Sequence, residues 1–239
     1  MSERFTKTMN LNPRVGLYYT AGAVLLLAIA LLTKPLGWLL LWPTLSMLLV
    51  ALGYFGLGPA VYGKLEGKHP LWAQVLHWFT IRGHDISRRL YARQCAPWDQ
   101  LAPGLWIGRQ LVEAEAETLR EEGITAVLDL TAEFPEPLAL MEMHYRSLPM
   151  LDLTAPDEQQ MTTALNFIAR EIEKGSVYVH CKIGYSRTAA IAGSYLIHSK
   201  LARAPDEAIA MLRAARPSIV IRPEARAAIK QYATRCHLS

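Results

Sequence analysis

The sequence predicts an α/β domain, a central sheet flanked by helices, preceded by a two-helix transmembrane hairpin. Three observations carry this. Two long apolar runs occupy the first quarter of the chain. Further on, strand-like runs give way to segments in which apolar residues recur at helical spacing. Between one such strand and one such helix lies His180-Cys181-Lys182-Ile183-Gly184-Tyr185-Ser186-Arg187-Thr188-Ala189, which gathers a cysteine, a glycine and an arginine into one short loop.

The apolar runs come first. Val15 to Thr33 is nineteen residues without a charge, and Leu36 to Val61 follows after Lys34-Pro35. At 1.5 Å per residue each can cross a hydrocarbon core of about 30 Å. A cleavable signal peptide has a shorter apolar core and a polar chain after it, whereas here a second run follows at once. The spans are expected at about 15–33 and 36–61, with Pro43 kinking the second and Trp38, Trp42 and Tyr54 at the interfaces. Arg4, Lys7 and Arg14 precede the pair, Lys64, Lys68, Arg82, Arg88, Arg89 and Arg93 follow it, and Lys34 alone lies in the turn. The positive-inside rule therefore puts both ends, and the domain that follows, in the cytoplasm, as suits a bacterial inner membrane.

Three regions follow from this: 1–63 for the tail and hairpin, 64–95 for a basic amphipathic segment, and 96–239 for a catalytic domain. In the middle region Leu71, Trp72, Val75, Leu76 and Phe79 recur at helical spacing among arginines. Such a helix lies on a membrane surface among anionic headgroups, or packs on the domain as a linker; both remain open. Residues 1–95 hold ten Lys or Arg against three acidic residues, a net of +7, while 96–239 hold fifteen against eighteen, a net of −3. The basic character belongs to the anchor and its flank, so membrane lipids are the expected partner and nucleic acid is not.

Within the domain, Leu148 to Asp152 ends a strand-like run, and Asp157 to Lys174 reads as a helix through Met161, Leu165, Ile168 and Ile172, with Gly175 as its stop. Val177-Tyr178-Val179 is a short buried strand, Ala190 to Ile197 a helix, Pro205 to Ala215 a helix opening on Pro-Asp-Glu, and Glu224 to Tyr232 a last one. Glu113, Glu115, Glu117, Glu121 and Glu122 read as a solvated helical face and nothing more. Asp129, at a strand end, can orient the loop, with a surface or structural carboxylate as its default reading, and Arg222 reads as a surface arginine or a guide for an anionic substrate. Cys95, Cys181 and Cys236 lie far apart with no Cys-x2-Cys pair, and the seven histidines are scattered. Neither a disulfide framework, a metal nor a cofactor is expected.

The loop at Cys181 carries the chemistry. A turn at a helix N-terminus presents backbone N–H groups and the positive end of the helix dipole, which favour a phosphate dianion and a cysteine thiolate. Cys181 is the candidate nucleophile. Arg187, six positions on, can fold back and grip two non-bridging oxygens with its planar fork. Gly184 lets the backbone turn tightly beside the phosphate. Thr188 can offer its hydroxyl to the sulfur as Cys181 departs, and His180 can fix the loop through its ring. Lys182 adds a positive charge at the rim. Ile183, Tyr185 and Ser186 contribute backbone N–H groups and shape the entrance. The set points to phosphoryl transfer through sulfur.

On these residues the chain resembles the cysteine-dependent tyrosine and dual-specificity phosphatases, whose loop reads His-Cys, five residues, Arg, then Ser or Thr. Leu105-Trp106-Ile107-Gly108 after Pro103-Gly104 looks like the opening strand of such a domain, and Gly123 to Leu130 like its next core strand. The similarity spans roughly Pro97 to the C-terminus, and implies a dual-specificity-phosphatase-like fold. Asp152-Leu153-Thr154, Val177 to Lys182 and Ile221-Arg222-Pro223 are most similar to the mitochondrial phosphatases acting on phosphatidylglycerophosphate. One departure is Ile183-Gly184-Tyr185, where lipid phosphatases tend to have Ala-Gly and a basic residue; its loss weakens the case for a doubly phosphorylated headgroup.

The resemblance also implies an acid on a loop upstream, needed to protonate the leaving oxygen. Asp152 is the first choice. Asp157, nearer to Cys181 and just before Glu158, is better placed to cap the helix beginning there. Three functions follow in different classes: a membrane lipid phosphatase, a membrane-tethered protein phosphatase with a phosphoprotein substrate, and an inactive module binding phosphorylated partners. The intact Cys181, Arg187 and Asp152 argue against the last.

Overall fold

The computed structural model describes residues 12–238, so Arg4 and Lys7, used above to orient the hairpin, lie outside the described residues. The first apolar run forms helix α1, Pro13–Leu32, opened by a proline whose missing N–H would be unpaired there in any case. The second is not one regular helix. Leu36–Leu40 winds as a 3₁₀ turn, α2 covers Leu41–Leu52, a π turn covers Gly53–Leu57 and a further 3₁₀ turn covers Gly58–Tyr62. Pro43 sits in the first turn of α2 and breaks nothing. The chain instead departs from helical geometry at Gly56 and Gly58, both at positive φ. By length and composition alone, Pro13–Leu32 and Leu36–Tyr62 are each apolar enough to cross a membrane.

Small residues bring the two runs together. Gly16, Ala23 and Ala30, seven apart, are buried on one face of α1. A Cβ added at Gly16 would lie 2.9 Å from the Phe55 ring, and one at Gly22 would lie 2.4 Å from the Met47 methyl. The opposite faces carry exposed Leu17, Val24, Leu25 and Leu31. After the hairpin come α3, Leu71–Leu76, and α4, Trp78–Ala92. Helix α4 packs on α2 through Trp42 and Phe79, whose ring centroids are 5.1 Å apart, and through Ser46 and Thr80, hydroxyl to hydroxyl at 2.9 Å. The segment thus packs on the hairpin, while Leu71, Trp72, Val75 and Ile86 remain exposed.

The domain is built on five strands: β1 Trp98–Ala102, β2 Leu105–Arg109, β3 Ile124–Thr131, β4 His144–Met150 and β5 Ser176–Cys181. Their order is β1-β2-β5-β3-β4, with only the β1–β2 pair antiparallel. Period-two alternation sends Leu128, Leu130, Val177, Val179 and Cys181 to the larger core. That face is covered by α7, Glu158–Ile172, α8, Ser186–His198, α9, Pro205–Ala215, and α10, Pro223–Leu238. The other face buries Val127 and Tyr178 against Leu119 and Leu140 of α5, Glu113–Glu121, and α6, Leu138–Met141. A third cluster joins hairpin to domain: Val50, Tyr54, Val61 and Tyr62 against Ala132 and Leu151. Tyr54, expected at a membrane interface, is instead buried here, and its hydroxyl donates to the Asp152 carbonyl at 2.9 Å.

Two acidic residues expected only to be solvated do more. Glu115 accepts both terminal nitrogens of Arg109, at 2.7 and 2.9 Å, and Glu113 accepts the N–H groups of Leu138 and Ala139 that open α6. Asp157 N-caps α7, accepting from the Gln160 N–H at 2.8 Å. One buried charge is Lys64, just beyond the hairpin. Its ammonium reaches Asp129 Oδ2 at 2.5 Å, the Thr131 carbonyl at 3.0 Å and the Thr131 hydroxyl at 2.9 Å. Removing it strands buried carboxylates, so Lys64→Ala should lower stability by about 3–5 kcal/mol, read as a fall in the thermal unfolding midpoint in detergent; a midpoint unchanged within error would refute this.

Candidate active site

Cys181 is the last residue of β5, and Ser186 opens α8. Between them the chain turns at Gly184, φ +73°, where an added Cβ would sit 2.4 Å from the Gly108 carbonyl oxygen. Gly108 is itself constrained: a Cβ there would lie 2.3 Å from the Pro97 carbonyl oxygen. A glycine in the loop and a glycine in β2 thus let the loop lie against the strand, backbone on backbone. Ser186 accepts the Arg222 N–H at 3.0 Å, while the Arg222 side chain is exposed. Arg216, wholly buried, donates to the Ile183 carbonyl at 3.2 Å and the Ala96 carbonyl at 2.9 Å, and pairs with Asp99.

Arg187 folds back as its spacing suggests. Its terminal nitrogens meet Glu133 as a fork, at 3.0 and 2.6 Å, and also donate to the Met150 carbonyl at 2.9 Å. Asp152 Oδ1 lies 3.3 Å from the same guanidinium. Arg187 Nε and Thr188 Oγ1 are buried with no hydrogen-bond partner among the described residues. Both belong to residues assigned above to phosphate and sulfur. Burial alone would raise the Glu133 carboxyl, but the Arg187 charge and hydrogen bonds, with His84 and Lys182 behind them, hold it well below the usual range. Glu133 therefore stays ionised and fixes the arginine.

His180 lies on the opposite face of β5 from Cys181, stacked on Tyr178 with centroids 5.2 Å apart. Its Nε2 is 3.3 Å from Glu136 and 3.9 Å from Asp129. Burial lowers its affinity for a proton, yet the two carboxylates outweigh that and raise it. Asp129, Glu136 and His180 bring donor atoms within 4.8 Å of one another, a set able to hold a metal. The Lys64 ammonium, bonded to Asp129, supplies a positive charge at that place. The Tyr145 hydroxyl also donates to Asp129, at 2.6 Å.

Lys182 departs from expectation. Rather than standing at an open rim it is buried, and its ammonium donates to His84 Nδ1 of α4 at 3.3 Å. The tautomer this selects carries its proton on Nε2, which faces the Tyr19 hydroxyl at 3.3 Å and the Tyr62 hydroxyl at 3.4 Å. Ile183 is buried and Tyr185 half-buried. Of the residues singled out in the sequence, Cys181, Arg187, Asp152 and Thr188 converge at the head of α8, and Lys182 faces the hairpin. Glu133, Arg216 and His84 were not singled out; each comes from a distant element, and no local spacing marks it.

Residues 105–235 match the family described as dual specificity phosphatase, catalytic domain. The phosphatidylglycerophosphate phosphatase PTPMT2 of Arabidopsis thaliana is 29% identical over 156 residues, covering 62% of this chain and 68% of that protein. Human dual specificity protein phosphatase 26 is 31% identical over 122 residues, covering 47% of this chain and 58% of the relative's length. Among solved structures, PTPMT1 in complex with PI(5)P superposes with a TM-score of 0.53 at 21% identity, covering 60% of this chain and 98% of that one. A mouse dual specificity phosphatase solved with zinc tungstate gives 0.52 at 28% identity, covering 59% and 89%.

Burial, followed by the neighbouring Lys182 charge, pushes the His84 imidazole down to about 4. Unfolded, it titrates near 6.5. Between those values the unfolded chain holds the extra proton, so stability present above pH ~6.5 drains away as pH falls towards 4. The unfolding midpoint should therefore drop between pH 7 and pH 5, and His84→Gln should flatten that slope. An equally steep slope in the variant would contradict the assignment.

Proposed function

Because the chain belongs to the dual specificity phosphatase family and is a cysteine-type phosphoric monoester hydrolase, we propose that its apolar helices hold it in a membrane, where it hydrolyses a phosphomonoester on a glycerolipid headgroup, such as phosphatidylglycerophosphate. In this reading the Cys181 thiolate attacks phosphorus, the P–O bond to the glycerol breaks, and Asp152 gives its proton to the departing alkoxide. Arg187 and the loop N–H groups hold the non-bridging oxygens throughout. Asp152 then takes a proton from water as it attacks the phosphocysteine. The thiolate leaves, aided by the Thr188 hydroxyl, and inorganic phosphate is released.

One observation carries the lipid reading: the residues beside the loop come from the apolar hairpin and its flank. Tyr54 grips the Asp152 backbone, and His84, itself bracketed by Tyr19 and Tyr62, grips Lys182. A protein substrate gains nothing from that placement, whereas a lipid is presented by the same bilayer that the exposed Leu17, Leu25 and Leu31 suit. The name of the Arabidopsis relative, a phosphatidylglycerophosphate phosphatase, supports the same choice. The net of +7 over residues 1–95 supports a cytoplasmic face for the domain, against anionic headgroups. The 31% identity to dual specificity protein phosphatase 26 favours the second reading, a tethered protein phosphatase.

Phosphate release from phosphatidylglycerophosphate in mixed micelles should outpace release from phosphotyrosine and phosphoserine peptides; the reverse order would overturn the lipid assignment. Cys181→Ser should release no phosphate from any of them. Asp152→Ala should slow the lipid by about 10²- to 10⁴-fold and an activated aryl phosphate far less, and equal slowing would remove Asp152 as the acid.

A further inference from the structure

A cleft of about 530 Å³ opens between α1, α2 and α4. Its inner end is formed by Asp152 and Lys182, and Asp152 lies 3.3 Å from the Arg187 guanidinium. Its outer end is formed by Val15 and Tyr18 of α1 and Met47 of α2. Tyr18 is 75% exposed and Leu17 beside it 59%, so the cleft runs from the catalytic loop out to the apolar surface of the hairpin.

We propose that this cleft holds the acyl-glycerol part of a glycerophospholipid phosphomonoester, which makes the hairpin a wall of the substrate pocket as well as an anchor. The inference rests on the lipid reading above and adds where the lipid lies. An occupant must present an anion at the inner end, where Arg187 and Lys182 are buried, and apolar surface along the rest. A two-chain lipid monoester has that polarity from end to end. A phosphopeptide does not, because its backbone N–H and C=O groups would lose water against apolar walls with few partners. The volume lies within the usual range of roughly 300–1,000 Å³ for ligand pockets; it suits the glycerol and the first stretch of chain, leaving the remainder in the bilayer.

Gly83 shows how the space is kept open. It lies mid-helix in α4, where a glycine costs about 1 kcal/mol relative to alanine, and it lines the cleft. A Cβ built on it meets no atom within 4 Å, so a side chain placed there begins in open space. His84, next to it, also lines the cleft and is already committed to Lys182 and the two tyrosines.

The test uses the full chain in mixed micelles with a dioleoyl lipid phosphomonoester, its dihexanoyl counterpart and a soluble aryl phosphate. Gly83→Trp should lower kcat/KM for the dioleoyl substrate at least tenfold relative to the aryl phosphate measured on the same preparation. The dihexanoyl substrate should fall less. Gly83→Leu, which also favours the helix, should show the same order with a smaller loss, and turnover of the aryl phosphate reports that each variant is folded. If wild-type protein cleaves the dioleoyl lipid and Gly83→Trp leaves the ratio unchanged, the cleft assignment is overturned and the lipid reading stands. If wild-type protein cleaves peptides in preference to both lipids, the lipid reading fails and the cleft assignment fails with it.

Discussion

The buried pairing of Lys64 with Asp129 is the interaction on which the rest of the structure depends. Lys64 follows the last turn of the hairpin, and Asp129 sits mid-sheet on β3, opposite His180 on β5. Both side chains are fully shielded from water. A lone charge in that position costs several kcal/mol, and one opposite charge repays it only when the remaining donors and acceptors are also satisfied. Here Thr131 accepts the other two ammonium protons while its own N–H and hydroxyl donate to Asp129, at 2.7 and 2.8 Å. Glu136 lies beside this pair, 3.9 Å from the Lys64 ammonium and 3.3 Å from His180 Nε2. Because His180 directly precedes Cys181, one network joins the docking of the hairpin to the strand end that carries the proposed nucleophile.

A second buried pair does the corresponding work on the other side of the loop. Arg187, proposed above to hold the phosphate, is wholly buried and needs a counter-charge of its own. Glu133 supplies it through two of the guanidinium nitrogens, leaving Nε without a partner among the described residues. The arrangement settles the arginine's rotamer in advance, so in the proposed reaction little conformational entropy would remain to be lost on binding phosphate. Arg216 performs a similar service for the loop backbone at Ile183.

The parts of the site that were legible in the sequence are those whose geometry is local. Cys181, Gly184, Arg187 and Thr188 belong to a strand, a turn and the first helical turn, and their spacing alone sets their directions. The core helices were legible too, because Met161, Leu165 and Ile168 declare a buried face by period. Glu133, Lys64, Arg216 and His84 were not, since each acts on residues 33 to 98 positions away and a lone charged side chain carries no mark of its partner. Glu115 misled for the same reason: its place in a run of glutamates reads as solvated until Arg109 of β2 is brought beside it. The second apolar run was read as one span because hydropathy does not register backbone geometry. The glycines at 56 and 58 that end its helix are apolar by any scale.

That break is what lets the hairpin reach the active site. A straight helix through Tyr62 would carry the chain away from the domain, whereas the turns after Leu52 fold Tyr54, Val61 and Tyr62 back onto Ala132 and Leu151. From there the Tyr54 hydroxyl holds the Asp152 carbonyl, and Asn12, at the start of α1, donates its side-chain amide to the Leu153 carbonyl at 2.8 Å. Leu153 sits at φ +58°, a conformation a leucine adopts only when its surroundings impose it. The surroundings that do so are these two hydrogen bonds from the hairpin together with the Asp152 carboxylate, which accepts the Leu153 N–H at 3.1 Å. The loop carrying Asp152, the proposed acid, is therefore shaped by residues outside the phosphatase fold. In this chain the apolar helices are structural neighbours of the chemistry, and the catalytic loop and its hairpin form one packed unit.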